Sequence, residues 1–114
     1  MFKELYCFED RSGEAERIRE KYPDRVPVIC EKSPNDTLLP KINRVKYLVP
    51  CDLVIGQFIY IIRKGINIEP EKAIFLFVKG NIPSSSELVA SVYEKDRDDD
   101  GFLYVTYSGE NTFG

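Results

Sequence analysis

The residue types that carry most side-chain chemistry are scarce in this sequence. Its 114 residues include no histidine and only three cysteines, Cys7, Cys30 and Cys51. Without histidine there is no imidazole base, no Ser-His or Cys-His nucleophile pair and no His-containing metal site. The cysteines are odd in number, far apart and without a C-x-x-C pair. They imply neither a disulfide framework nor a zinc site, and they read as small buried hydrophobes kept reduced. Asp52 follows Cys51 and works against a thiolate there. The run Asp96-Arg97-Asp98-Asp99-Asp100 lacks the alternating ligands and closing glutamate of a calcium loop, and reads as a solvated turn. No catalytic residue, metal or cofactor is expected, and the chain reads as a non-enzyme.

What remains is one carboxylate and one strand. The sequence closes at Phe113-Gly114. Glycine has no side chain to hinder attack at its carbonyl, which suits a terminus activated as an acyl adenylate and then a thioester. An ordinary frayed end is the plainer alternative. Residues 108–114 show neither helix nor strand pattern, so they read as a flexible tail of at most about 23–25 Å. The strand is Lys46-Tyr47-Leu48-Val49-Pro50. At a sheet edge its unpaired backbone groups could accept a guest strand. Lys46 and Leu48 would then face one way, and Tyr47 and Val49 the other, towards Leu53, Phe58 and Ile62. Arg25, Arg44 and Lys46 would favour acidic flanks on the guest. The same apolar stripe equally suits plain core.

These groups need a body to hold them. With 43% apolar and 31% charged residues the chain can fill one core and stay soluble. A net charge of −3 gives no basic field for nucleic acid. No apolar run approaches a membrane span, and Met1-Phe2-Lys3-Glu4 does not read as a signal peptide. Residues 9–21 form a polar helix closed by Tyr22-Pro23, with Ile18 its one large apolar residue, after a possible helical turn near Lys3–Cys7. Val26–Lys32 reads as a strand, and Pro27 marks it as an exposed or irregular edge. A loop follows over Ser33–Asn43, then the second strand. Asp52 is expected to cap a long apolar helix from Leu53 to Lys64, with Gly65 as its stop. Gly56 within it reads as a point of close helix-sheet packing. Ala73–Val78 reads as a strand covered on both faces, Asn81–Pro83 as a turn, Glu87–Glu94 as a short helix capped from Ser84–Ser86, and Phe102–Tyr107 as the last strand. The order implies an α+β, ubiquitin-like β-grasp fold. Its four-stranded sheet should carry the long helix on one face and the polar N-terminal helix on the other. Residues 1–107 form one domain, its helical region being about 1–22, and residues 108–114 form the tail.

Three strings are specific enough to carry a resemblance: Lys21-Tyr22-Pro23-Asp24-Arg25-Val26-Pro27-Val28-Ile29-Cys30-Glu31-Lys32; Lys46-Tyr47-Leu48-Val49-Pro50 with Asp52-Leu53 and Gly56-Gln57-Phe58; and Asp100-Gly101-Phe102-Leu103-Tyr104. Over nearly its whole length the chain resembles the autophagy ubiquitin-like modifiers, the family of the GABA-receptor-associated protein and microtubule-associated light chain 3. The resemblance implies activation of Gly114 by an E1-like enzyme, transfer to an E2-like enzyme and amide conjugation to phosphatidylethanolamine. It further implies a cysteine protease for processing or delipidation, and a cytoplasmic protein with a lipidated pool on autophagosomal membranes. Receptors would bring aromatic-x-x-aliphatic peptides that augment the second strand. The aromatic pocket would be Glu14, Ile18, Pro27, Lys46, Leu48 and Phe102. The aliphatic pocket would be Tyr47, Val49, Pro50, Leu53, Phe58, Ile61 and Ile62, with Arg25 and Arg44 meeting acidic flanks. Gly65 stands where the family usually has an arginine. The alternative expectation is a modifier of protein lysines, or a peptide-binding scaffold that is never conjugated.

Overall fold

Alternating burial along the strands divides the protein into two unequal cores on opposite faces of one sheet. The computed structural model describes residues 1–110. Its elements are α1 (Phe2–Leu5), α2 (Phe8–Lys21), β1 (Arg25–Lys32), β2 (Lys46–Pro50), α3 (Ile55–Ile66), β3 (Phe75–Phe77), α4 (Val89–Asp96) and β4 (Leu103–Ser108). The strand order is β2-β1-β4-β3, with β1 and β4 parallel and the other neighbours antiparallel. This is the α+β, ubiquitin-like sheet expected from the sequence.

The larger core packs Val28, Cys30, Val49, Leu103, Val105 and Tyr107 against Phe58 and Ile62 of α3 and Val92 of α4. The smaller one, on the other face, joins Phe2 of α1 and Ala15 of α2 to Ile29 and Phe102, with Ile18 packed on it. The rings of Phe2 and Phe102 meet edge to face at 5.6 Å. A helix as polar as α2 stays there largely through charge. Arg11 Nη1 lies 2.7 Å from Asp100, which is 1% exposed and also accepts the Tyr104 hydroxyl and the Phe102 N–H. Burial, then the hydrogen bond to Asp100, pushes the Tyr104 phenol well above its ordinary value.

Several boundaries depart from expectation, each for a local reason. Pro27 is buried in a central strand rather than an edge. Pairing with β4 begins only at Val28, so the nitrogen of Pro27 faces no strand. Asp52 lies in a turn, and α3 starts after Val54, whose N–H donates to Gln57 Oε1 at 2.9 Å. Two further first-turn donors, Ile55 N–H and Gly56 N–H, bond to the carbonyls of Glu87 and Ser85, both at 2.9 Å. Residues 84–87 are therefore committed to α3, and α4 begins later, at Val89. Gly56 admits this approach: a Cβ there would lie 3.2 Å from the Ser85 carbonyl, so the close partner is that segment rather than the sheet. Gly65 does not end α3. The helix continues to Ile66 and stops at Asn67, which takes the left-handed conformation (φ 52°, ψ 57°). β3 is trimmed to three residues: it begins only at Phe75, opposite Ser108 at the end of β4, and the chain turns at Lys79 and Gly80, both with positive φ. Of the cysteines only Cys30 is buried, and burial pushes its thiol well up; Cys7 and Cys51 are exposed.

The end of β4 is tied to the loop between β1 and β2. The Tyr107 hydroxyl donates to the Pro40 carbonyl at 2.7 Å. Buried Asp36 accepts from Leu39 N–H at 2.9 Å, Ser108 Oγ at 3.0 Å and Gly109 N–H at 2.8 Å. Burial acts to raise its pKa, but the hydrogen bonds from Gly109, Leu39 and Ser108 outweigh it and hold the carboxyl below its ordinary 3.8. A depressed carboxyl stabilises the fold above the unfolded-state value and loses that contribution as pH falls through the folded-state value. We predict that Asp36→Asn costs about 1–2 kcal/mol at pH 7 in urea unfolding, as expected for hydrogen bonds to a charged acceptor. The gap from the wild type should close as pH falls below 3.8. A gap that stays constant to pH 2 would contradict the assignment.

Candidate functional site

β2 has one strand neighbour, so its other side is an edge. The register decides which of its backbone groups lie there. Cys30 N–H donates to the Val45 carbonyl at 2.7 Å, making that pair hydrogen-bonded. Alternation then makes Val28 with Tyr47 and Val26 with Val49 hydrogen-bonded, and leaves Ile29 with Lys46 and Pro27 with Leu48 non-hydrogen-bonded. The N–H and C=O groups of Lys46 and Leu48 therefore point away from the sheet. Both carbonyls are covered by arginines: Arg25 Nη1 donates to Leu48 O at 3.0 Å, and Arg44 Nε to Lys46 O at 3.1 Å.

Side chains divide about this edge as the alternation demands. Towards α2, the Lys46 ammonium pairs with the Glu14 carboxylate and lies 5.9 Å from the ring centroid of Phe2. Leu48 is half-buried opposite Pro27, and Ile18, one turn along α2 from Glu14, packs on the cluster that contains Phe102. Pro27 and Phe102 are themselves buried and form a floor rather than a rim. Sequence reasoning missed Phe2 and Val45 here. α1 brings Phe2 over the sheet, and Phe2 and Val45 line a cavity of about 500 Å³ together with Met1, Leu5, Lys41 and Lys46. Those residues are far apart in sequence, and only the docking of α1 joins them.

Towards α3 the expected residues separate into two groups. Phe58 and Ile62 are sealed, at 1% and 0% exposure, and Tyr47 and Val49 are buried above them. Tyr47 meets Phe58 edge to face at 5.5 Å. Pro50 and Leu53 are half-buried and Ile61 is 40% exposed, so these three form the part open to solvent. Arg44 stacks its guanidinium 5.3 Å from the ring centroid of Tyr47. Arg25 and Arg44 thus both lie on the edge, one at each outward carbonyl. Gly114, the expected conjugation site, lies outside the described residues.

Comparison with known proteins agrees with the fold. Residues 10–114 match the family model described as autophagy protein Atg8, ubiquitin like. The chain is 59% identical over 113 residues to autophagy-related protein 8 of Mycosarcoma maydis, covering 99% of this chain and 95% of that one. It is 58% identical to autophagy-related protein 8 of Coccidioides immitis over 99% of this chain and 96% of the relative. The crystal structure of Trypanosoma brucei ATG8 superposes with a TM-score of 0.91 at 44% identity, covering 99% of this chain and 97% of that one.

The division between floor and rim is open to measurement. Phe58→Ala should lower stability by about 3–5 kcal/mol, as a large core truncation does. Ile61→Ala should stay within about 0.5 kcal/mol of the wild type. Urea titrations of the two variants compare them directly, and similar losses would place Ile61 in the core.

Proposed function

The chain belongs to the Atg8 family of ubiquitin-like autophagy proteins, and on that premise we propose that it is a conjugated modifier and adaptor rather than an enzyme. Its Gly114 is joined to phosphatidylethanolamine, and β2 receives aromatic-x-x-aliphatic peptides from cargo receptors. The observation that carries the docking reading is the outward-facing backbone of Lys46 and Leu48, set between two differently built flanks.

The aromatic side chain of the guest enters beside Leu48, Ile18, Lys46 and Glu14, over Pro27 and Phe102. The aliphatic one enters beside Pro50, Leu53 and Ile61, over Tyr47, Val49, Phe58 and Ile62. Acidic flanks meet Arg25 and Arg44. The only reacting group that the conjugation steps take from this chain is the Gly114 carboxylate. An E1-like enzyme joins that carboxylate to AMP, releasing pyrophosphate from ATP. A cysteine thiolate displaces AMP to form a thioester, the acyl group passes to an E2-like enzyme, and the lipid amine displaces that thiol to leave an amide. A cysteine protease reverses the attachment by hydrolysis. Two acyl chains arrive in one step, where one chain at about 0.8 kcal/mol per buried CH₂ anchors only marginally. Among the described residues no helix is long and apolar enough to cross a membrane. The lipid accounts for a membrane-bound pool of an otherwise cytoplasmic protein.

Incubation with the activating and conjugating enzymes, ATP and liposomes tests the reading. The wild type should float with lipid and gain the mass of a phospholipid, and a variant lacking Gly114 should do neither. Adducts on protein lysines with none on lipid would select the other kind of modifier. Separately, Leu48→Ala should weaken an aromatic-x-x-aliphatic peptide by about 1–2 kcal/mol in calorimetry, the usual loss for a truncated interface anchor. Unchanged affinity would remove Leu48 from the docking surface.

A further inference from the structure

The carboxylate of Asp36 is 7% exposed. Its hydrogen bonds come from two places: Leu39 N–H of its own loop, and Ser108 Oγ and Gly109 N–H at the exit of β4. A buried carboxylate is costly unless such bonds hold it, and two of these three fasten the start of the C-terminal arm. The fit at Gly109 is tight, since a Cβ there would lie 2.9 Å from Leu38 Cβ and 3.1 Å from Leu38 Cδ1. Neighbouring bonds stitch the same seam: Ser33 N–H donates to the Tyr107 carbonyl at 2.8 Å, and Glu110 N–H to Ser108 Oγ at 3.1 Å. Chain ends are ordered only where such contacts tie them down.

We propose that Asp36 is a positioning residue for conjugation: by clasping Ser108 and Gly109 it fixes where and in which direction the arm leaves the body, so that Gly114 is presented to the enzymes on a lead counted from Gly109. The proposal rests on the conjugation reading above. Ser108 stays paired with Phe75 when Asp36 is lost. Five residues beyond Gly109 reach at most about 17–18 Å, against about 20–22 Å for six beyond Ser108. Effective concentration falls roughly as the −3/2 power of length, so the added residue alone costs only about 1.3-fold. A larger effect must come from lost direction, to which reactions between positioned groups are far more sensitive.

Steady-state conjugation of the full chain, with both enzymes, ATP and phosphatidylethanolamine vesicles, is compared with hydrogen exchange at the Gly109 amide. Asp36→Ala is expected to lower kcat roughly three- to tenfold with KM within about twofold. Asp36→Asn, which keeps an acceptor, should recover part of the rate, and Ser108→Ala serves should Asp36→Ala fold poorly. The core variant Ile55→Val, at the opposite end of α3 where Ile55 N–H bonds the Glu87 carbonyl, should conjugate normally. A drop in Asp36→Ala no greater than about 1.3-fold, or an equal drop in Ile55→Val, overturns the proposal. If the wild type forms no lipid adduct, the conjugation reading fails and exchange decides this one. A Gly109 amide at least about tenfold better protected in the wild type than in Asp36→Ala supports the anchored arm, and equal exchange overturns it.

Discussion

The register between β1 and β2 is the constraint on which the rest of the protein depends. Because Cys30 pairs with Val45 through a backbone hydrogen bond, the outward groups of β2 belong to Lys46 and Leu48. The same register points Lys46 towards Glu14 and Tyr47 towards Phe58. A slip of one residue would exchange every one of these assignments, sending the lysine into the α3 core and the tyrosine to the polar side. Pro27 helps to hold this register. Lacking an N–H, it fits where β1 has no β4 partner, opposite Leu48 in a pair that needs no hydrogen bond from it.

The two faces of the sheet are held by different physics. On the α3 face, burial of Phe58, Ile62 and the strand residues supplies the stabilisation, and the hydroxyls of Tyr93 and Tyr107 reach backbone carbonyls at its margin. On the α2 face the apolar cluster is small, and named polar contacts supplement it: Arg11 with Asp100, Lys46 with Glu14, Lys3 with Asp98 and Phe2 N–H with Glu31. Most of these pairs are partly exposed and individually modest. Asp100 is the exception, because it is buried and accepts from Arg11, Tyr104 and Phe102 at once. The contact between helix and sheet is thus pinned at one strong point and several weak ones.

How much of this was legible in the sequence followed the range of each interaction. The alternation of Lys46–Pro50 is a local pattern and gave the two flanks directly. The polarity of residues 9–21 placed a helix outside the main core, where α2 lies. Local signals misled where a distant partner overrode them. Asp52 and Gly65 are ordinary helix punctuation, yet Ser85 and Glu87 satisfy the start of α3, and Ile42 and Tyr47 line its end near Gly65. Nothing local distinguishes Asp36 from any loop aspartate, since two of its donors lie more than 70 residues away. Cys7 and Cys51 looked like small core residues because composition records nothing of exposure. Phe58 and Ile62 share an apolar stripe with Ile61, and only packing shows which are floor and which are rim.

The arginines that cover the outer carbonyls of β2 bear on how such an edge can be both quiet and receptive. An uncovered edge is a template for indiscriminate pairing, and charged side chains are a common protection. Here the protection is specific, because Arg25 and Arg44 donate to the very carbonyls that a guest strand would use. A guest N–H arriving at Leu48 O would replace a guanidinium N–H rather than water, so pairing at that carbonyl would contribute little net free energy. Discrimination must then come from the side chains on either flank, and from carboxylates able to take up the displaced guanidinium. An extended segment with neither would meet carbonyls that are already satisfied, whereas one with both would restore every bond that it breaks and bury apolar surface as well.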